Sequence, residues 1–142
     1  LALNYNYAVV TVGQIKFPDI RVRLYEQLKE AGLILPVIVS PRAYVSRDAT
    51  IGEGTFVMHD ALINAGARIG VNCIINTKAL VEHDAVVGGH CHVSTGAIVN
   101  GGAVISEKTF IGSNAMISNS IEVGDNQIVS GGETILRSIN GD

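Results

Sequence analysis

The chain has 142 residues, a formal charge of −3 and a pI near 5.8. That is enough for one domain with a real core, and it gives no basic face of the kind that gathers phosphate backbones. No apolar run approaches the roughly 20 residues that span a bilayer, and the first residues have neither the basic start nor the apolar centre of a signal peptide. The expectation is a soluble, cytoplasmic protein that binds neither nucleic acid nor membrane. Because the chain opens on Leu1 in mid-pattern, it also reads as a fragment.

In chain order, Ala8 to Val12 is a short β-type run. Pro18 suits a first helical turn, Ile20, Leu24 and Leu28 share one helix face, and Gly32 is a good stop. Leu33 to Ser40 returns to strand character. Strand, helix, strand within residues 1–40 predicts the C-terminal part of an α/β sugar-nucleotide-binding-like domain, without the glycine turn that would open such a unit. Residues 41–142 form the second predicted domain.

From Val45 onward every sixth residue is Val or Ile, sixteen in succession to Ile135. Four residues after each lies a small one, from Ala49 and Thr55 through Cys73 and Cys91 to Thr109 and Ala115. A period of six fits neither the 3.6 of an amphipathic helix nor the 2 of an alternating strand, and a fixed self-similarity means a stacked solenoid. The fold class predicted is mainly β: a left-handed parallel β-helix in which three hexads make an eighteen-residue coil and coils stack at roughly 4.8 Å. Gly52, Asn64, Gly70, Asn76, Gly88, Asn100, Gly112 and Gly124 follow the aliphatic series, where turn and left-handed geometry are expected. The small-residue rule breaks at Ile121, Gln127 and Glu133, where the last coils should fray or cap. Cys73 and Cys91 fall in the small series, so they read as packing residues rather than nucleophiles.

Residues eighteen apart stack in adjacent coils. His83 therefore lies between Ala65 and Gly101, and Asp84 between Gly66 and Gly102, so a His–Asp pair is flanked by residues with almost no side chain. An imidazole near neutrality is a natural general base, and a neighbouring carboxylate, Asp84 or Glu82, would fix its tautomer. A surface ion-pair cluster is the bland alternative. His90, in a column with Asn72 and Lys108, reads as a solvated turn residue, and His59 sits with Thr77 and Thr95. His92, between Ile74 and Phe110, reads equally as a packing histidine or a ligand contact. The His-x4-His pair of zinc-binding β-helix carbonic anhydrases is missing, so no metal is expected.

The run Asn76-Thr77 through Val81-Glu82-His83-Asp84, then His92-Val93-Ser94 and Gly101-Gly102, resembles the hexapeptide-repeat sugar O- and N-acetyltransferases of the sialic acid and bacillosamine pathways. Val10 to Gly13 and Arg21 to Gly32 resemble the end of that family's N-terminal sugar-nucleotide domain. The resemblance implies direct transfer of acetyl from acetyl-CoA, with no metal, to a sugar amine or hydroxyl, His83 as base and Asp84 or Glu82 orienting it. It further implies Asn76, His92, Gly101 and Gly102 as substrate- or cofactor-binding residues, with the Gly101 N–H near the acetyl carbonyl, where it would stabilise the oxyanion. A homotrimer with CoA between neighbouring prisms is part of the same pattern. The acceptor expected first is the amine of a nucleotide-linked 4-amino-4,6-dideoxy sugar. The alternatives are O-acetylation of sialic acid or another surface sugar, and a non-catalytic trimerisation or scaffold module.

Overall fold

A computed structural model describes residues 5–139. Seventeen two-residue strands from Ile38–Val39 to Thr134–Ile135 form three parallel sheets around one core, each strand pairing with the strand three places on and eighteen residues away. The first sheet runs through Ile38–Val39, Phe56–Val57, Ile74–Ile75, His92–Val93, Phe110–Ile111 and Ile128–Val129. The second runs through Tyr44–Val45, Leu62–Ile63, Leu80–Val81, Ile98–Val99, Met116–Ile117 and Thr134–Ile135, and the third from Thr50–Ile51 to Glu122–Val123. The predicted left-handed β-helix is therefore the fold, and its ladder starts one strand before Val45. Only the second residue of each strand points inward. From Val57 to Ile135 every member of the Val/Ile series is buried, at 6% exposure or less. Branched side chains suit such strands because their restricted rotamers cost little there.

The glycine and asparagine series needs a correction. Left-handed backbone occurs at the third residue of the turns from Gly54 to Gly132, as at Asn72, Asp84, His90, Gly66 and Gly102, not at the first. The first-position glycines answer a different demand, the close approach of the next coil. A methyl on Gly70 would sit 2.5 Å from the Gly89 nitrogen, and one on Gly112 2.5 Å from the Gly131 nitrogen.

The small series also divides by edge. At the edges leading out of the first and second sheets it is alanine from Ala61 to Ala115, packing against the aliphatic core. At the edge from the third sheet back to the first it is Thr55, Cys73, Cys91 and Thr109, all fully buried. Each of these donates across to the next coil: Thr55 Oγ1 to the Gly70 carbonyl (2.9 Å), Cys73 Sγ to Gly88 (3.1 Å), Cys91 Sγ to Ser106 (3.0 Å) and Thr109 Oγ1 to Gly124 (2.8 Å). The larger residues Ile121, Gln127 and Glu133 cap the stack without fraying it. Val123 and Val129 stay buried, and Ile139 bridges back to Val123.

Helix α1 (Asp19–Glu30) starts after Pro18 and is closed by Gly32 at φ +74°, as expected. Ala8 to Val12, however, makes no strand, because its carbonyls are bound otherwise: only Tyr7 bridges Ile34, and the Arg21 guanidinium takes the Val10 (2.8 Å) and Val12 (2.9 Å) carbonyls. Ile20 does not join the packed face and is 58% exposed. Arg21 and Tyr25 are buried instead, with Leu24 and Leu28 packed around Val10, Tyr25 and Leu35. Arg21 also reaches the carbonyls of Asn72 and Gly54 and lies over the Phe56 ring, so a buried cation with no carboxylate partner among the described residues ties the helix to the solenoid. Burial lowers its pKa.

Candidate active site

His83 and Asp84 are the second and third residues of the turn between Leu80–Val81 and Val86–Val87, on the edge joining the second and third sheets. Asp84 adopts φ +59°, a conformation that Asp and Asn accept more readily than other residues. There its Oδ2 lies 3.0 Å from His83 Nδ1. With Nδ1–H donating to that carboxylate, the lone pair of the imidazole is at Nε2. Glu82, the other carboxylate considered, does not hold the ring. Its Oε2 accepts the main-chain N–H of His83 (3.1 Å) and the side-chain amide of Asn64 (2.9 Å). Both ring and carboxylate are open to solvent, at 60% and 75% exposure.

Stacking eighteen residues apart does what the sequence suggests. The His83 imidazole lies on Gly101, where a Cβ would come within 2.6 Å of Nε2, and the Asp84 carboxylate lies on Gly66, where a Cβ would come within 2.5 Å of Oδ1. Gly102 N–H donates to the His83 carbonyl (2.9 Å), so the Gly101–Gly102 turn is registered directly on the His83 turn.

Asn76 and His92 are held together but elsewhere: Asn76 opens the turn from the first sheet into the second, and His92 stands beside that edge on the outer face of the first sheet. The Asn76 Oδ1 accepts the Thr77 N–H (2.7 Å), which fixes the amide so that Nδ2 donates to His92 Nε2 (3.1 Å). His92 Nδ1–H donates to the Gln14 carbonyl. Those two bonds define a neutral His92, and burial, partly offset by the Gln14 carbonyl, lowers its pKa. The ring is 6% exposed, between Ile74 and Phe110 in the ladder and edge-on to Phe110. Within one chain, then, the predicted residues form two groups: His83, Asp84, Glu82, Gly101 and Gly102 on one edge, Asn76 and His92 on the next. Between them runs the outer face of the second sheet, an apolar stripe of half-buried Leu62, Leu80, Ile98 and Met116.

His90 is not the solvated residue its column suggests. It is half-buried because α1 covers it: Tyr25 packs edge-on at 5.4 Å, Asn72 Nδ2 contacts Nδ1 (3.0 Å) and Gln14 binds its carbonyl. Burial lowers its pKa as well. His59 is exposed and contacts Ser40 Oγ at 2.6 Å. Gln14 and Arg21, absent from the sequence-based site, are the residues that lock the helical segment onto the His92 column. Their signal was faint, since a polar residue after Gly13 and an Arg in α1 resemble ordinary surface positions. Among the described residues no three His, Cys, Asp or Glu side chains converge as a metal site requires. Likewise, no helix among them is long and apolar enough to cross a membrane.

No protein-family model matches the sequence, and no curated protein sequence does. Solved structures do. A point mutant of perosamine N-acetyltransferase from Caulobacter crescentus, in complex with CoA and GDP-perosamine, superposes with a TM-score of 0.84 at 30% identity, over 89% of this chain and 60% of that one. The acetyltransferase domain of PglB from Neisseria gonorrhoeae FA1090, in complex with acetyl coenzyme A, gives 0.85 at 33% identity, over 89% and 62%. These structural neighbours are acetyltransferases. WeeI from Acinetobacter baumannii AYE, at 24% identity and a TM-score of 0.83, shares the fold. The chain spans about three-fifths of the length of these relatives, from 60% to 62%.

Proposed function

We propose that the chain is the acetyl-transferring part of an acetyl-CoA-dependent N-acetyltransferase whose acceptor is the amine of a nucleotide-linked 4-amino-4,6-dideoxy sugar. The observation that carries this reading is the His83–Asp84 pair, with Nε2 lying open on Gly101. The ligands of the similar enzymes, CoA with GDP-perosamine and acetyl coenzyme A, support both the donor and the acceptor class.

In this mechanism the acceptor amine attacks the acetyl carbonyl while His83 Nε2 takes a proton from the nitrogen. Asp84 Oδ2 holds Nδ1–H and stabilises the imidazolium. The Gly101 N–H donates to the carbonyl oxygen as it becomes an oxyanion. The C–S bond then breaks, and the CoA thiolate leaves and recovers the proton from His83. No acyl-cysteine intervenes, because Cys73 and Cys91 are fully buried and burial raises both thiol pKa values, Cys73 to about 11. Asn76 and His92 complete the site from a neighbouring subunit of a homotrimer, with CoA between prisms. Their location on a separate edge, across an apolar outer face, supports that arrangement. Residues 1–40 are the C-terminal part of an α/β sugar-nucleotide-binding-like domain. In support of this, Val9 and Val12 stand exposed beside a groove against Leu24 and Leu28.

The test is release of free CoA thiol when the complete protein meets acetyl-CoA and a panel of nucleotide-linked amino and hydroxy sugars. The amino sugar should turn over, and His83→Ala should lower the rate about 100-fold or more. Turnover of His83→Ala at the wild-type rate rejects the base. Thiol release with hydroxy sugars alone moves the reading to O-acetylation, and no release with any sugar leaves the scaffold module.

A further inference from the structure

At the edge joining the second and third sheets, the second residue of successive turns is Arg47, Ala65, His83, Gly101 and Asn119. In two of these turns the preceding side chain folds back onto that residue's N–H. Asn64 Oδ1 accepts from Ala65 (2.8 Å), and Glu82 Oε2 accepts from His83 (3.1 Å). Asn100 holds the same position one coil further on, yet its Nδ2 donates to the Ile117 carbonyl (2.8 Å), which also receives the Asn100 main-chain N–H (3.1 Å). Chelated to the next coil in this way, Asn100 leaves the Gly101 N–H with no acceptor among the described residues. Of the five residues at this turn position only Gly101 is buried, under the His83 imidazole. A main-chain N–H without an acceptor in so covered a residue is uncommon and costly, and a ligand oxygen is one partner that can satisfy it.

We infer that Asn100 is a positioning residue for acetyl transfer: by anchoring its amide on Ile117 it keeps the Gly101 N–H open for the acetyl carbonyl oxygen, beside Nε2 of His83. The inference rests on the proposed acetyl transfer and adds to it the residue that decides whether the oxyanion donor is available. Asparagine suits the task because its Nδ2 has a carbonyl to bind. An aspartate there cannot donate to Ile117, and its negative oxygens would turn to the nearest open N–H, as the Glu82 carboxylate does one coil earlier.

The complete protein with Asn100→Asp and with Asn100→Ala separates this role from a structural one. In Asn100→Asp the carboxylate caps Gly101, so kcat falls about 100-fold while KM for acetyl-CoA stays within about twofold. Asn100→Ala loses the anchor without adding a cap, so kcat falls about fivefold, well short of the aspartate variant. If the side chain matters only for its bond to Ile117, the two variants lose the same activity, and that result overturns the inference. Hydrogen exchange at the Gly101 amide, read by NMR, supplies a measurement independent of turnover. It slows about tenfold in Asn100→Asp and not in Asn100→Ala, and unchanged exchange in Asn100→Asp also overturns the inference. Slowed exchange in a protein that acetylates no sugar would instead reject the acetyl-transfer reading while upholding control of the amide by Asn100.

Discussion

An alanine at position 101 would carry its methyl group within 2.6 Å of Nε2 and 2.8 Å of Cε1 of His83. The imidazole is 60% exposed, so it can swing away at little cost to folding, but only by leaving the place where, in the proposed mechanism, Nε2 faces the acetyl carbonyl. Gly101→Ala should therefore lower kcat about 100-fold while leaving the thermal midpoint nearly unchanged, a pairing that steady-state kinetics and calorimetry check together. Gly66→Ala differs because Gly66 has φ +68°, so the strain enters the fold as well as the Asp84 contact. There a loss of about 1 kcal/mol in stability should accompany the loss of rate. Asp84→Asn removes the charge that, in the proposed mechanism, stabilises the imidazolium, and can reverse the polarity of the bond at Nδ1. Glu82→Gln keeps an oxygen for the His83 N–H, and should cost far less activity than Asp84→Asn.

The turn between two sheets is the element that organises this molecule, and it explains which parts of the fold were legible in advance. Hexad periodicity fixes the strands, the inward series and the eighteen-residue register, because every repeat meets the same neighbours. That register alone brings His83 over Gly101 and Asp84 over Gly66. What it does not encode is which atom satisfies which turn. Glu82 and Asp84 flank His83 symmetrically in sequence, and the left-handed φ at the third turn residue is what sends one to the ring and the other to the main chain. The Thr55, Cys73, Cys91, Thr109 column was visible as departures from alanine eighteen residues apart, though size alone hid their role as donors. As donors, Cys91→Ala should cost about 1 kcal/mol by leaving the Ser106 carbonyl unpaired, and Cys91→Ser less, measured by denaturant unfolding. Both thiols should resist alkylation in the folded protein, and modification by iodoacetamide without unfolding would contradict their burial. Helix α1 was legible by its ends, Pro18 and Gly32, but not by its buried face, since a buried Arg held mainly by carbonyls leaves no hydrophobic trace. Arg21→Met exposes that dependence, and about 2 to 4 kcal/mol should be lost as four carbonyls lose their donor.

On the scale of the whole molecule, the helical segment is docked on the solenoid over two histidines whose pKa values both lie below the ordinary 6.5. His90 meets Tyr25 and Asn72, with Glu107, Glu26, Lys108 and Arg21 acting on its charge, and His92 meets Gln14, Asn76 and the field of Arg21. Because the folded state resists protonation where the unfolded chain accepts it, the contribution is complete above pH 6.5 and erodes as pH falls below it towards the lowered folded values. The unfolding midpoint should drop over that range, and replacing both histidines by Asn should flatten the profile. The two edges that carry the predicted site residues set a sharper test, because His83 of one prism and Asn76 of the same prism cannot serve one substrate if the site lies between copies. His83→Ala and Asn76→Ala would then each be inactive alone, yet mixed trimers would contain interfaces where an intact His83 faces an intact Asn76. Random mixing at equal amounts puts about a quarter of the interfaces in that state, since each requires one particular variant on each side. Co-expressed and purified as mixed assemblies, the pair should recover about a quarter of the wild-type thiol release. Recovery of nothing, with trimers confirmed by light scattering, would mean that both groups act within one chain or that Asn76 serves the fold alone.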